Sequence, residues 1–170
     1  YTIHDIKSEW DGMKEIKRVI EKVADTDSSI LIHGKTGTGK EMVAESIHTS
    51  GSRRQKKFVS QNCAAIPANL LESILFGTVR GSFTGAENRK GLLEVADGGT
   101  LFLDEINTLD YNLQAKLLKA IENGKIMRVG GTEEIKVNVR IIAATNKDLF
   151  MMEQDGTFRD DLNYRLKVEQ

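Results

Sequence analysis

The stretch that decides the fold is ILIHGKTGTGKE, residues 30–41. Its first three residues, Ile30 to Ile32, are apolar and predict a short strand buried on both faces, as in a parallel sheet. A glycine-rich segment follows, and residues 40–50 then have the pattern of a helix. A buried strand, a glycine-rich loop and a helix in this order predict the first unit of an α/β fold.

The glycine-rich loop matches the Walker A pattern G-x-x-x-x-G-K in the strand–loop–helix context that this motif requires. Its glycines allow a tight turn in which backbone N–H groups approach phosphate oxygens, and the helix N-terminus adds partial positive charge. Lys40 is predicted to neutralise the β- and γ-phosphates of a nucleotide. Glu41 replaces the usual Ser or Thr, so water or another group must supply that ligand of Mg²⁺. The predicted nucleotide-binding residues of this loop are Gly34, Lys35, Thr36, Gly37, Thr38, Gly39, Lys40 and Glu41.

A second motif, residues 98–105, is an apolar strand that ends in two carboxylates, which is the Walker B arrangement. Asp104 is predicted to join the nucleotide site and hold Mg²⁺, directly or through water. Glu105 is predicted to polarise the attacking water as general base, which favours hydrolysis over binding alone. The alternative is that the two carboxylates simply begin a helix, where they complement its dipole. The coincidence with the Walker A loop favours the nucleotide site.

Composition limits the class of protein. The chain has 170 residues, with 39% hydrophobic and 29% charged, as in one soluble globular domain. Lys plus Arg is 24 and Asp plus Glu is 25, and the net charge of −1 argues against a dedicated nucleic-acid-binding domain and a polybasic membrane anchor. The single cysteine, Cys63, excludes an internal disulfide framework and a multi-cysteine zinc site. No apolar run is long enough for a transmembrane helix.

The rest of the chain alternates strands and helices, which predicts a mainly parallel sheet flanked by helices. The predicted helices are residues 12–24, 40–50, 67–76, 109–122, 148–153 and 159–165. The predicted strands are residues 30–32, 58–59, 100–103 and 140–144, and a hairpin joins 126–129 to 135–139. Residues 77–91 are predicted to be a glycine-rich loop.

The two motifs resemble those of the AAA+ ATPases, and the sequence between them narrows the resemblance. Residues 81–86, Gly-Ser-Phe-Thr-Gly-Ala, resemble the G-A-F-T-G-A loop of bacterial activators of sigma-54 RNA polymerase, with Ser82 where the family has Ala. Residues 75–77 and 91–99 are also similar to that family, and so is the Gly-Thr-Gly-Lys-Glu ending of Walker A. The resemblance covers the chain from about Ile6 onward and makes Glu41 a family trait.

This resemblance implies the motor domain of an NtrC-like activator. ATP and Mg²⁺ would bind between subunits of a ring, expected to be a hexamer, and hydrolysis would move the loop against the sigma-54 RNA polymerase holoenzyme to remodel its closed promoter complex. Phe83 and Thr84 would make the contact, since an exposed aromatic between glycines gains little packing within the chain; the rival interpretation packs Phe83 into the core. The implied partner-binding residues are Gly81, Ser82, Phe83, Thr84, Gly85 and Ala86.

Five further positions match functional residues of the family. Asn62 matches the asparagine that contacts the Walker B glutamate and relays the nucleotide state to the loop. Thr145 and Asn146 match sensor I, which reads the γ-phosphate, and Arg159 and Arg165 match arginines that enter a neighbouring subunit's site. Without the resemblance, simpler interpretations apply. Asn62 would be a polar residue at the end of a strand, and Thr145 and Asn146 would form a turn or a helix cap. Arg159 and Arg165 would be two solvated arginines on a helix face.

The resemblance also implies what residues 1–170 comprise. They correspond to the α/β subdomain of the AAA+ P-loop NTPase core, without the helical lid, in a longer cytoplasmic regulator that contacts DNA through a C-terminal domain and has no membrane contact. Two other functions stay open: a general AAA+ protein-remodelling ATPase and a non-hydrolysing nucleotide-binding assembly module. The former need not carry the 81–86 loop, and Glu105 with the two arginines argues against the latter.

Three polar features are predicted to be structural. Cys63 lies beside two alanines and is predicted to be a small buried residue. His48 lies on the helix after Walker A and has no metal-site spacing. The basic run 53–57 is predicted to be a solvated loop, with a subunit contact as the second possibility.

Overall fold

Helices and strands alternate along the chain as an α/β fold requires. The computed structural model describes residues 11–24, 26–35 and 39–166, with side chains from residue 18 onward. Its helices are α1 (Asp11–Ala24), α2 (Lys40–Thr49), α3 (Ala68–Phe76), α4 (Leu92–Val95), α5 (Tyr111–Asn123), α6 (Leu149–Gln154) and α7 (Asp160–Leu166), with a 3-10 turn at Ile106–Thr108. Its strands are β1 (Ile30–His33), β2 (Phe58–Asn62), β3 (Gly77–Thr78), β4 (Arg89–Lys90), β5 (Thr100–Asp104), β6 (Lys125–Ile126), β7 (Ile135–Lys136) and β8 (Arg140–Thr145).

Four strands form the central sheet, in the order β1-β8-β5-β2. Each neighbouring pair is parallel, with Ile30 opposite Ile142 in β8 and Thr100 opposite both Arg140 and Phe58. This confirms the predicted mainly parallel sheet flanked by helices. Among the helices of the described ranges, none is both long and apolar enough to cross a lipid bilayer.

Side chains of the central strands alternate between the two faces of the sheet, because successive strand residues point to opposite sides. On one face, Phe102 and Ile142 pack with apolar residues of α1 and α2. On the other, Leu101, Leu103 and Ile141 pack with α3, α4, α5 and α7. Burial on both faces explains why β5 and β8 are nearly continuous apolar runs in the sequence.

A buried arginine joins α1 to the sheet. Arg140, the first residue of β8, donates hydrogen bonds to the carbonyls of Val23 (2.6 Å), Ala24 (2.9 Å) and Ser28 (3.2 Å). The last carbonyls of a helix have no partner within the helix, so the guanidinium caps α1 from the side. Burial lowers the pKa of Arg140. The cap fixes the end of α1 beside the strand that precedes the phosphate-binding loop.

The glycine-rich segment 77–91 differs from its prediction. It begins and ends in paired strands, with Gly77 opposite Lys90 and Thr78 opposite Arg89 in an antiparallel ribbon of β3 and β4. A bridge also joins Thr78 to Val129. Only the centre of this segment is therefore an irregular loop. The predicted 126–139 hairpin does form, with shorter strands than expected, as β6 and β7.

The basic run 53–57 is only partly the solvated loop that the sequence predicts. Arg53 Nη1 donates to the carbonyls of Gly99 (2.7 Å) and Asn138 (3.0 Å), and Nη2 donates to Asn138 Oδ1 (2.7 Å). Its Nε lies 3.2 Å from Asp27 Oδ1. Arg53 is therefore a structural tie between loops, while the other residues of the run are exposed as predicted.

His48 is structural, as predicted. Its Nδ1 lies 2.8 Å from Thr100 Oγ1, and its Nε2 lies 2.9 Å from the carbonyl of Lys56. Because a carbonyl only accepts, Nε2 carries the proton and Nδ1 accepts from the Thr100 hydroxyl. Burial lowers the pKa of His48 below its ordinary value of 6.5, so the folded chain holds this imidazole neutral.

We expect acid to destabilise the chain through His48. Its folded-state pKa lies below the unfolded value, so the unfolded chain binds the proton first, and stability falls as the pH drops below about 6.5. The slope is at most about 1.4 kcal/mol per pH unit for one proton, and it flattens below the folded-state pKa. Urea unfolding at several pH values measures this slope, and His48→Gln should remove most of it. An unchanged slope in that variant would contradict the assignment.

Candidate functional site

The predicted nucleotide site lies along one edge of the sheet, where the parallel strands end. Gly34 follows β1, Asn62 ends β2, Asp104 ends β5 and Thr145 ends β8. Two hydrogen bonds continue the ladder past the strands, from Gly34 N–H to the Thr145 carbonyl (3.1 Å) and from Cys63 N–H to the Asp104 carbonyl (3.0 Å). Ligands of open α/β sheets bind in the crevice outside this edge.

Lys40 lies at the centre of this edge, as the first residue of α2, and is only 5% exposed. Its Nζ donates to the Gly34 carbonyl (3.0 Å) and to Glu105 Oε1 (3.0 Å), and lies 3.8 Å from Asp104 Oδ1. A buried ammonium group requires such partners. The fold therefore brings together the cation and the two carboxylates that the Walker motifs predict.

Only part of the predicted phosphate-binding loop, Gly34, Lys35 and Gly39, lies within the described residues. Gly39 has φ +82°, a left-handed conformation that favours glycine, immediately before α2. Lys35 is exposed, and the Glu41 carboxylate accepts a hydrogen bond from Ser60 Oγ (2.5 Å) on β2. The Glu41 carboxylate therefore bonds to β2 and not to Lys40. Three predicted phosphate-binding residues, Thr36, Gly37 and Thr38, lie outside the described residues.

Glu105 has a strained backbone, with φ +56° in the left-handed region. This conformation costs a non-glycine residue about 1 kcal/mol or more. Its N–H donates to Asp104 Oδ1 (2.9 Å), and Thr108 Oγ1 donates to its carbonyl (2.8 Å). The turn after β5 is therefore held from both sides, and it directs the Glu105 carboxylate onto Lys40.

Asn62 lies beside the Walker B residues but is not bonded to the glutamate. It is opposite Asp104 in the register of β2 and β5. Its Oδ1 accepts from Ala64 N–H (2.8 Å), while Glu105 takes Lys40 as its partner. Within the described ranges, no hydrogen bond joins Asn62 to Glu105. The contact between Asn62 and Glu105 that the resemblance implies stays a prediction. The ends of β2 and β5, which carry the two residues, are adjacent.

Thr145 connects the end of β8 to the segment after Walker B. This buried hydroxyl donates to Asn107 Oδ1 (3.1 Å), in the 3-10 turn that follows Glu105, and accepts from Lys147 N–H (3.0 Å). The second contact is the turn that the simpler interpretation predicts. Asn146, the other residue predicted to sense the γ-phosphate, is exposed at the same edge.

The two predicted finger arginines, Arg159 and Arg165, pair with acidic side chains of their own chain. Arg159 forms two 3.0 Å hydrogen bonds with Asp161, which raise the pKa of the arginine and lower that of the carboxyl. Arg165 Nε lies 3.8 Å from Glu122. Among the described residues, neither arginine contacts Lys40 or Glu105. Within one chain, the two arginines are therefore not part of the cluster formed by Lys40, Asp104 and Glu105.

The 81–86 loop projects from the β3–β4 ribbon. Gly81 and Gly85 have φ of +84° and +81°, and Ala86 N–H donates to the Phe83 carbonyl (3.0 Å) to close a turn. The Phe83 side chain is 52% exposed, which is contrary to the rival interpretation that packs it into the core. Thr84 is exposed beside it. The loop thus presents an aromatic ring to solvent at its tip.

Ser82 packs the loop against the β6–β7 hairpin. A Cβ added to Gly130, at φ +78°, would lie 2.3 Å from Ser82 Cβ. Gly130 therefore leaves room for the Ser82 side chain, whose buried Oγ has no hydrogen-bond partner among the described residues. The family's alanine at this position carries no such hydroxyl.

Cys63 is the small buried residue that the sequence predicts. Burial and the nearby charges of Asp104 and Glu105 raise the pKa of its thiol to about 12. The nucleophile of a cysteine is its thiolate, so this residue stays protonated and unreactive near neutral pH.

The donor set of the site suits a magnesium ion that is shared with phosphates. Among the described residues, no group of three or more His, Cys, Asp or Glu side chains is placed to hold a metal alone. Mg²⁺ in nucleotide sites is bound through one or two carboxylates together with phosphate oxygens and water. Asp104 fits that role, since its side chain is partly exposed at the edge and only its Oδ1 takes the Glu105 N–H.

A parallel sheet with a lysine at the start of the helix after β1 and two carboxylates at the end of β5 defines a P-loop NTPase, here of the AAA+ class. The chain belongs to the sigma-54 interaction domain family, whose model matches residues 6–170.

Known proteins similar to the chain include two regulators and one solved structure. The DNA-binding transcriptional activator HyfR of Escherichia coli is 53% identical over 167 residues, which are 98% of this chain and 25% of HyfR. The transcriptional regulatory protein FlbD of Caulobacter vibrioides is 53% identical over 92% of this chain and 35% of FlbD. NtrX from Brucella abortus, solved in complex with ATP, has a TM-score of 0.87 at 40% identity and covers 96% of this chain and 37% of its own. The chain thus spans between 25% and 37% of the length of these proteins.

Proposed function

We propose that the chain is the ATP-hydrolysing motor of a sigma-54-dependent transcription activator. The observation that carries this proposal is the 3.0 Å pair of Lys40 and Glu105 at the carboxyl edge of the sheet. It joins a phosphate-binding cation to a candidate general base in one buried site. Membership of the sigma-54 interaction domain family supports the partner, and the ATP complex of NtrX supports the nucleotide.

Arrival of ATP would separate the Lys40–Glu105 pair. The β- and γ-phosphates compete with Glu105 for the Lys40 ammonium, and their charge favours the exchange. The freed Glu105 carboxylate would then accept a proton from the attacking water. Asp104 would hold Mg²⁺, which neutralises phosphate charge when bound. Thr145 ends β8 and Asn146 follows it, and from there the two residues would read the γ-phosphate.

Arg159 and Arg165 would complete the site of a neighbouring subunit in a ring, expected to be a hexamer. Each arginine is paired with an exposed carboxylate, Asp161 or Glu122, and such surface pairs are weak enough to exchange for phosphate oxygens. The surface beside Arg165 exposes 81% of Tyr164. Phe150, which is 60% exposed, lines the same cleft as Tyr164 and Arg165, and adjoining exposed apolar groups are typical of surfaces that bind another protein.

The 81–86 loop would deliver the motion to sigma-54. Its exposed Phe83 and Thr84 offer an apolar and a polar contact at the tip, and the β3–β4 ribbon anchors its base. Residues 1–170 would form the α/β subdomain of the motor. DNA recognition would belong to a C-terminal domain of the longer protein, as the partial coverage of the relatives allows.

Open-complex formation by the full-length protein tests this function. With sigma-54 RNA polymerase on a sigma-54 promoter, we expect strand opening with ATP and none with a non-hydrolysable analogue. Phosphate release without strand opening would favour a general remodelling ATPase instead. Nucleotide binding without phosphate release would favour a non-hydrolysing assembly module.

A further inference from the structure

A buried glutamine on α5 hydrogen-bonds to the arginine segment, residues 157–159, which leads into α7 and carries Arg159. Gln114 lies on α5 and is 0% exposed. Its Nε2 donates to the carbonyls of Leu109 (3.0 Å) and Thr157 (3.0 Å), and its Oε1 accepts from Arg159 N–H (2.8 Å). The amide therefore uses both donor hydrogens and its acceptor, each on a backbone group.

Two of these contacts fix the backbone that carries Arg159. Gln114 donates to the Thr157 carbonyl and accepts from the Arg159 N–H, so it binds the backbone on both sides of a single residue. A neighbouring strand in a parallel sheet makes the same pair of contacts. The residue between them, Phe158, is buried in the core. A buried ring and two hydrogen bonds thus hold the base of the Arg159 side chain.

The third contact reaches the Walker B segment. Leu109 directly follows the 3-10 turn Ile106–Thr108, which begins immediately after Glu105. Asn107 of the same turn accepts the Thr145 hydroxyl. The Gln114 side chain therefore connects two segments. It bonds to Leu109, in the segment that follows Glu105, and to the backbone of Arg159.

We propose that Gln114 is a positioning residue for Arg159. It holds the arginine segment in a fixed place relative to Walker B, so that the guanidinium projects from the subunit in a defined direction. Tyr111 lies three residues earlier on the same helix and has the Arg159 guanidinium carbon 5.1 Å from its ring centroid, which orients the side chain further. The inference rests on the proposed function, in which Arg159 acts on a neighbouring subunit's nucleotide.

A double-mutant cycle on ATP hydrolysis by the full-length protein tests this role. We expect Gln114→Met to lower kcat about 10- to 100-fold, the scale of a misplaced catalytic group, with KM for ATP unchanged. In the Arg159→Ala background, Gln114→Met should lower kcat no further, because the group it positions is already gone. Its effect on the thermal midpoint should be equal in both backgrounds.

The outcomes separate this inference from the proposed function. If Arg159→Ala leaves kcat unchanged, the role of Arg159 is wrong, and the inference is overturned with it. If Arg159→Ala lowers kcat and Gln114→Met lowers it by the same factor in both backgrounds, the motor function stands and Gln114 is only structural.

Two further variants complete the test. Gln114→Glu, in its protonated form, keeps the acceptor for the Arg159 N–H and one of the two donors, so its kcat should lie between those of wild type and Gln114→Met. A Gln114→Glu kcat equal to wild type would overturn the inference if Gln114→Met does not fold. His48→Gln is the matched control, because it disturbs buried polar contacts to Thr100 and Lys56, away from Arg159. It should lower the thermal midpoint and leave kcat unchanged.

Discussion

We expect Glu105→Gln to lower kcat for ATP hydrolysis by about 10²- to 10⁴-fold, the usual contribution of a general base. Glutamine has nearly the same shape, but its neutral amide does not take a proton from the attacking water. ATP binding should persist, because the substitution removes the carboxylate that lies 3.0 Å from Lys40 and would compete with phosphate for it. Steady-state phosphate release and equilibrium nucleotide binding by the full-length protein measure the two effects separately.

Glu72→Gln is the matched control for this variant. Glu72 pairs with Lys116 at 3.0 Å, joining α3 to α5 in a partly exposed position. The same chemical change there removes a surface ion pair worth about 0–1 kcal/mol and should leave kcat unchanged. Equal kcat values for wild type and Glu105→Gln would contradict the general-base assignment. Loss of ATP binding by Glu105→Gln would contradict the competition between Glu105 and phosphate.

The central sheet and the location of the site follow from local sequence patterns. The two central strands, β5 and β8, are buried on both faces, so each has a continuous apolar run that is recognisable without knowledge of its neighbours. Parallel strands place their carboxyl ends together, and the two Walker motifs lie at such ends. The motifs therefore predict that Lys40 and Glu105, 65 residues apart, share one site, but they do not predict the 3.0 Å contact between them.

The hydrogen bonds of Arg140 and Arg53 could not be predicted, because most of their partners are backbone groups distant in the sequence. Arg140 bonds to the end of α1, more than a hundred residues earlier, and Arg53 bonds to Gly99 and Asn138. Neither arginine has a motif or a spacing that marks it. Gln114 did carry a signal, since it is a polar residue within the buried side of α5 beside Leu113. A polar residue at a core position indicates a satisfied hydrogen-bond network.

Very short or strained elements were also beyond sequence patterns. The strands β3 and β4 have two residues each, too few for an alternating pattern to be recognised. The left-handed backbone of Glu105 is equally hidden, because glutamate has no preference for that conformation. The loop base and the turn after Walker B are set by tertiary contacts, and both lie beside candidate functional residues.

We expect Thr84→Ala to separate ATP hydrolysis from action on sigma-54. Thr84 is exposed at the loop tip, and the ribbon that anchors the loop pairs through backbone atoms of β3 and β4. The substitution therefore leaves the Lys40 site intact, and kcat should stay close to wild type. A central contact residue contributes about 2 kcal/mol or more, so binding to sigma-54 should weaken by about 30-fold or more.

Binding is measured with the full-length protein, sigma-54 and a transition-state analogue of ATP hydrolysis, and phosphate release is measured alongside. Ser52→Ala is the control, because it removes an exposed hydroxyl from a loop remote in sequence from residues 81–86. It should change neither quantity. Retained sigma-54 binding by Thr84→Ala would remove the proposed role of that residue.

Two substitutions of Phe83 test whether the loop binds sigma-54 through the aromatic face of the ring or through its apolar area alone. The ring is 52% exposed, so Phe83→Ala removes a surface group and little core packing, and the chain should fold as wild type. Phe83→Leu keeps much of the apolar area but not the aromatic face. If sigma-54 binds the ring face, both variants lose binding; if it buries apolar area alone, Phe83→Leu retains most of it. Wild-type binding by Phe83→Ala would contradict the contact itself, since no other residue of the 81–86 loop carries a large apolar side chain.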